Sequence, residues 1–241
     1  GFHFRKENIY SGEIDRFLQL LSDYAESLLL NRIEIITPPD IYHMTFNAKM
    51  VNSLVRQGYQ PALPEITNWV DLTRFDGMFR QKNSREYYRQ AQRNNLVFSV
   101  AQNEREKGII YDLICENRSK FGRPIYMTLD NILSTGEIWP VEFFKVESGK
   151  NIVASAIFYR NHNEICYAVY WGDNDEGRSL RAMDFLVLNL FVYYKEACFR
   201  YMDLGISTEN GIPNEGLLRF KESHEAISSL RYRFILDIKK S

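Results

Sequence analysis

At 241 residues the chain has room for one large domain or two small ones, and for a buried core. Hydrophobic residues make up 45% and charged residues 25%, ordinary usage for a globular protein in water. A formal net charge of -1 excludes a global basic field directed at nucleic acid and leaves only local patches open to that role.

Ser11 is expected to cap a first helix whose apolar residues, Ile14, Phe17, Leu18, Leu21, Ala25, Leu28 and Leu29, recur at helical spacing. "RIEIIT" alternates as a strand and stops at Pro38-Pro39. Asn47 is expected to start a second helix, ended by Gly58, and "EITNWVDL" to form a second strand. From Thr73 a helical pattern runs to about Asn95, with Arg85, Arg89 and Arg93 at four-residue steps. "LVFSVAQ" is a short strand. "REKGIIYDLICENRSKFG" is a helix ending at Gly122 before Pro124, followed by a short helix around "LDNILS". "VEFFKVE", "NIVASAIFYR" and "EICYAVYW", joined by the turns "SGK" and "NHN", predict an antiparallel meander. The polar loop "GDNDEGRS" leads into the long helix "LRAMDFLVLNLFVYYKEAC". Strand "RYMDLGIS", helix "NEGLLRFKES" and a last strand, "SLRYRFILDI", complete the order.

Cys115, Cys166 and Cys198 are far apart and read as free thiols of a reducing compartment. His3, His43, His162 and His224 offer no metal-ligand spacing, so no metal is expected. The longest apolar run contains Asp184 and Asn189 and is too short to span a bilayer. Without a signal-peptide pattern, a cytoplasmic protein is expected.

Residues 12–72 read helix, strand, helix, strand, and residues 179–238 repeat that order. This points to a structural repeat, with chance alternation as the competing explanation. The expected division is a partial unit over 1–72 and a complete one over 73–241. The chain opens at Gly1 without Met, so we expect it to be the back part of a longer protein whose first unit lacks its leading strands. On that reading "RIEIIT" and "EITNWVDL" pair with each other or join the second unit's sheet. The helix face bearing Ile14, Phe17, Leu21 and Leu28 must still be buried, so the segment is expected either to leave a sheet edge unpaired in the monomer or to be covered by a homodimer contact.

Three segments carry a resemblance to a known family: "YRQAQRNNLVFSV", "NIVASAIFYRNHNEICYAVYWGD" and, most specifically, "YMDLGISTENGIPNEGLLRFKES". From Val141 onward the element order resembles a GNAT-type acyltransferase half. The whole resembles the FemABX-type aminoacyl/acyltransferases, which carry two such units in tandem. Two positions depart from the family pattern. Ser223-His224 stand where a Phe-Gly pair is usual, and the pyrophosphate signature RxxGxG is represented only by Gly177, Arg178 and Ser179. The resemblance implies an α/β fold with a mixed, mainly antiparallel sheet flanked by helices. It implies direct attack of an amine of a cell-envelope precursor or small molecule on an activated acyl donor, acyl-CoA or aminoacyl-tRNA, with no bound cofactor. A degenerate, non-catalytic binding or assembly module of the same fold is the alternative.

Acyl transfer to an amine needs a proton acceptor and donors aimed at the developing oxyanion. Lys221 is expected to orient or stabilise the carbonyl; the alternative is a solvated lysine on a well-capped helix. Asp203 is a base or amine-positioning group, or else a structural carboxylate that caps or pairs with an arginine. Asn214 caps the helix and flanks the substrate. Tyr170 lines the groove, with Trp171 read as groove wall or core. Arg178 and Arg181, at a helix N-terminus, either bind donor phosphates or sit solvated on a polar loop. His224 is a proton shuttle or a helix end. The Arg85, Arg89, Arg93 stripe is a solvated face or meets phosphates of a large donor.

Overall fold

The computed structural model describes residues 8–123 and 125–238; Gly1, His3 and Pro124, named above, lie outside the described residues. The chain divides into two compact units. The smaller takes Gly1–Thr67, Ile206–Glu215 and Ser228–Ser241, and the larger takes Asn68–Gly205 and Gly216–Ile227.

The smaller unit starts with α1 (Ser11–Ser27), β1 (Arg32–Ile36), α2 (Asp40–Arg56) and β2 (Gln60–Pro61). Tyr10, not Ser11, is the N-cap of α1, because the Glu13 carboxylate reaches back to accept from the Tyr10 N–H at 3.0 Å. α2 begins seven residues before the expected Asn47. His43 interrupts it with extended backbone, and its Nδ1 accepts from Phe46 N–H at 3.1 Å, re-capping the helix. Asn47 lies inside, buried, and donates to Pro38 O and Asp40 Oδ1.

β1 does not pair with the strand "EITNWVDL". Its antiparallel partner is the chain's last strand, β12 (Arg233–Asp237), in a sheet of order β1-β12-β2. Ile33 and Ile35 alternate inward onto Ile14, Leu18, Met50, Leu54, Tyr59 and Phe234. The stretch "STENGIP" is a tight hairpin of β9 (Thr208–Glu209) and β10 (Ile212–Pro213). Asn210 and Gly211, both at positive φ, form its two-residue turn. The Glu65 carboxylate holds the hairpin, accepting from the Thr208 hydroxyl and from Gly211 N–H.

β3 (Glu65–Asp71) begins in the smaller unit and continues in the larger, which also holds α3 (Lys82–Gln92), β4 (Leu96–Val100), α4 (Glu104–Lys120) and α5 (Leu129–Thr135). The meander follows as β5 (Val141–Ser148), β6 (Asn151–Tyr159) and β7 (Ile165–Asp173), antiparallel as expected. Then come α6 (Asp175–Ser179), α7 (Ala182–Glu196), β8 (Tyr201–Ile206) and α8 (Glu215–Ser223), and β11 (Ile227–Arg231) follows, its residues from Ser228 on counted with the smaller unit. The sheet is mixed and mainly antiparallel, in the order β11-β3-β8-β7-β6-β5-β4. Alternation along β5 and β6 fills both faces. Phe144, Val146, Ala154, Ala156 and Phe158 meet Leu186, Leu190 and Tyr194 of α7, while Phe143 and Ile157 meet Ile110 and Ile114 of α4.

Two expectations about elements change here. The helix expected from Thr73 begins only at Lys82, because Phe75 and Phe79 leave the helical path to enter the core. The expected final strand is two strands, β11 and β12, interrupted at Tyr232 and belonging to different sheets.

The polar loop after β7 is a helix, α6. Asn174 caps it by accepting from Gly177 N–H at 2.8 Å. A Cβ on Gly177 would stand 2.0 Å from Val153 O, so glycine is required there by close approach to β6. Gly177→Ala is expected to cost about 2–3 kcal/mol, the upper range for overpacking. Thermal or denaturant unfolding measures it, and an unchanged melting temperature would show that the loop yields freely.

Candidate active site

β7 and β8 run parallel, joined by the crossover through α7, with Ile165 opposite Tyr201, Cys166 opposite Met202 and Tyr167 opposite Asp203. Pairing stops there, although β7 continues to Asp173 and β8 to Ile206. β7 also carries an irregularity against β6: Ile157 faces Tyr170 while Phe158 faces Ala168, which leaves Val169 as the extra residue.

Gly205 stands just beyond the last pair at φ 70°, a conformation that strains a side chain. A Cβ there would also lie 3.6 Å from the Tyr167 ring. Its N–H donates to Asp203 Oδ1 at 2.8 Å, and its carbonyl accepts from Lys221 Nζ at 3.0 Å. One backbone unit therefore joins the two residues expected to share the site. Both are buried, with Lys221 only 2% exposed. Burial pushes the Lys221 amine down to about 7, against the opposing pull of the Asp203 carboxylate. An amine poised there is available in both neutral and charged forms near neutral pH.

The other expected residues fall in different places. Tyr170 is half-buried, with the Arg118 guanidinium 5.4 Å over its ring; burial raises its phenol. Trp171 packs edge-on against Phe220 of α8 at 5.9 Å. Arg178 and Arg181 come together: with Gln90, Asp175 and Ser179 they line an open cleft of about 400 Å³. Arg178 is 3.3 Å from Asp173 and 3.8 Å from Asp175, and Arg181 lies over the Tyr87 ring at 3.9 Å. Arg89 on α3 and Arg93 at its C-cap are exposed. Asn214 belongs to the smaller unit, where its N–H donates to Ser207 O at 2.8 Å.

His224 ends α8 and is buried against Asp184, Nε2 to Oδ1 at 3.0 Å. Asp184 and Tyr167 were missed as members of this region. A lone acid at a buried position of an apolar helix is itself the signal, because it demands a buried partner. Tyr167 carried no such mark among fifteen tyrosines. Among the described residues no cluster of three or more His, Cys, Asp or Glu is arranged to hold a metal ion, and no helix is long and apolar enough to cross a membrane.

The Lys221 shift carries a pH signature. The unfolded chain holds that proton to about 10.5, whereas the folded chain releases it near 7. Between those values the unfolded state binds more protons, so the lysine's contribution to stability rises with pH. Lys221→Met removes the buried charge. Its advantage in melting temperature over the parent is expected to be largest below pH 7 and to shrink toward pH 10. A pH-independent difference would place an ordinary lysine there.

No protein-family model matches the chain, and no curated relative matches it. Solved structures do. FemX superposes with a TM-score of 0.71 at 12% identity, over 98% of this chain and 79% of FemX. L-PGS from Bacillus licheniformis gives 0.63 at 16% identity, over 93% and 73%. A tandem GNAT protein from the clavulanic acid biosynthesis pathway gives 0.51 at 12% identity, over 94% and 70%. The fold is therefore the GNAT-like fold of FemX and L-PGS, a mixed, mainly antiparallel sheet flanked by helices.

Proposed function

We propose that the chain is an acyl- or aminoacyltransferase, in which an amine attacks an activated carbonyl directly and no bound cofactor takes part. The observation that carries this reading is the buried Lys221 amine, lowered to about 7 and held on Gly205 O where β7 and β8 part. The likeness of fold to FemX, L-PGS and the tandem GNAT protein supports it. In the reaction the N–C bond forms, the carbonyl oxygen takes up negative charge, and the donor's C–O or C–S bond breaks. The charged form of Lys221 offers N–H donors to that oxyanion. Asp203, an acceptor when ionised, draws the incoming amine and takes part in its proton loss. Tyr170 lines the approach. The acceptor is an amine of a cell-envelope precursor or a small molecule.

The donor is acyl-CoA or an aminoacyl-tRNA, with Arg178 and Arg181 in the cleft as its phosphate contacts. Gly177 N–H is already used by Asn174, and Arg178 is engaged by Asp173. Both features favour the aminoacyl ester over a tight pyrophosphate cradle. We also propose that residues 1–72 form a GNAT-like unit of helix–strand–helix–strand order. A non-catalytic binding module is the second reading, favoured by the near-complete burial of both Lys221 and Asp203.

The test is transfer itself: an aminoacylated RNA minihelix or acetyl-CoA is incubated with a panel of amines, and products are read by mass spectrometry. Lys221→Ala is expected to lower turnover on the order of 10²–10³-fold, as when an oxyanion donor is lost, with the folded state retained. Asp203→Asn is expected to lower it as well. No product from either donor, or turnover indifferent to Lys221, favours the binding module.

A further inference from the structure

Asp184 lies in the first turn of α7, 6% exposed, and its carboxylate meets His224 Nε2 at 3.0 Å. The His224 ring is packed between Phe79, edge-on at 4.7 Å, and Phe220 at 4.3 Å. Its Nδ1 faces Phe220 O at 2.7 Å. A carbonyl only accepts, so Nδ1 is read as its donor, and Nε2 faces the Asp184 carboxylate. Both ring nitrogens are therefore engaged within the protein, and the transfer chemistry above uses neither residue.

A buried acid–imidazole couple is a poor way to gain stability, because desolvation offsets most of the attraction. Its geometry suits another role. His224 is three residues beyond Lys221, and the N–H groups of His224 and Ala226 both donate to Lys221 O, at 3.0 and 3.2 Å. The imidazole also clips Phe220, the residue before Lys221, through its carbonyl. The backbone of the working lysine is thus held from both sides by the residue that Asp184 anchors.

We propose that the Asp184–His224 couple is the positioning element of the site: it fixes α8 against the first turn of α7 so that Lys221 Nζ stays buried on Gly205 O. The inference rests on the reading of Lys221 as the working amine. A lysine side chain is long and flexible. A small tilt of α8 would let its ammonium reach water, where the charged form is favoured. Asp203 of β8 acts on Lys221 as a charged group, and Asp184 of α7 faces His224. Arg80, ahead of α3, is tied to Glu225, and Ser84 of α3 donates to Ser223 O without charge.

The test is a titration of the Lys221 Cε resonance in ¹³C-lysine-labelled protein, assigned by its loss in Lys221→Met. Asp184→Asn and His224→Phe are expected to raise the midpoint from near 7 toward 10.5 by roughly one unit or more. His224→Gln, whose amide still donates, is expected to restore part of the shift. Ser84→Ala loosens the same end of α8 through one neutral hydrogen bond. It is expected to lower the melting temperature and leave the midpoint in place. Midpoints unchanged in the folded Asp184 and His224 variants, or moved equally by Ser84→Ala, would make the couple purely structural and overturn the proposal. Should Asp184→Asn fail to fold, the His224 pair decides alone. The readout needs no substrate. If the midpoint moves while transfer proves indifferent to Lys221, the functional reading fails and the positioning stands.

Discussion

A lysine amine held out of water is the constraint around which the end of the larger unit is arranged. Burial acts on the Lys221 amine more strongly than the Asp203 carboxylate does, which is why the shift is downward. An amine in that position needs its hydrogen-bond partners in place beforehand. Gly205 supplies one through its carbonyl, and its positive φ allows the same peptide segment to turn its N–H toward Asp203. A residue with a side chain would be strained there and would meet Tyr167.

The sheet creates the place where such a group is useful. A parallel pair requires a crossover, and α7 provides it between β7 and β8. The two strands stay together for three residue pairs and then separate. The irregularity in β7 turns Val169 and Tyr170 toward the α4 side while Trp171 remains on the α7 side. The separation and the re-aimed side chains follow from backbone geometry, so the opening is built into the sheet.

Much of this was legible in the residues. The meander, the long helix α7 and the short helix α8 follow from period and turn chemistry, whereas the hairpin at Asn210-Gly211 was passed over between a strand and a helix. Lys221 and Asp203 were legible as a pair because the segment joining them mixes glycine, small polar residues and a capped helix. The readings that failed did so for identifiable reasons. Phe75 and Phe79 satisfy a helical pattern on paper, yet the core claims them as non-helical anchors. Asn47 looks like a cap, but its amide is used to close the turn at Pro38. The break at Tyr232 has no glycine or proline to mark it, and the partners of the two flanking strands distinguish them. Asp184 was visible only as an interruption of an apolar run, because its partner lies 40 positions away.

The place of β12 between β1 and β2 has a consequence in time. Arg32 meets Asp237 across 205 positions of chain, so the sheet of the smaller unit has no centre until its last strand has been made. At ~5–20 residues per second of synthesis, β1 waits roughly 10–40 seconds for its partner. Throughout that interval Ile33, Ile35 and the apolar sides of α1 and α2 lack Phe234, the residue that closes their core. The Asn68–Gly205 stretch of the larger unit emerges within that interval. The order of synthesis along these residues thus differs from the order of completion: α1, β1 and α2 are made before Asn68–Gly205, yet their core closes only when β12 follows.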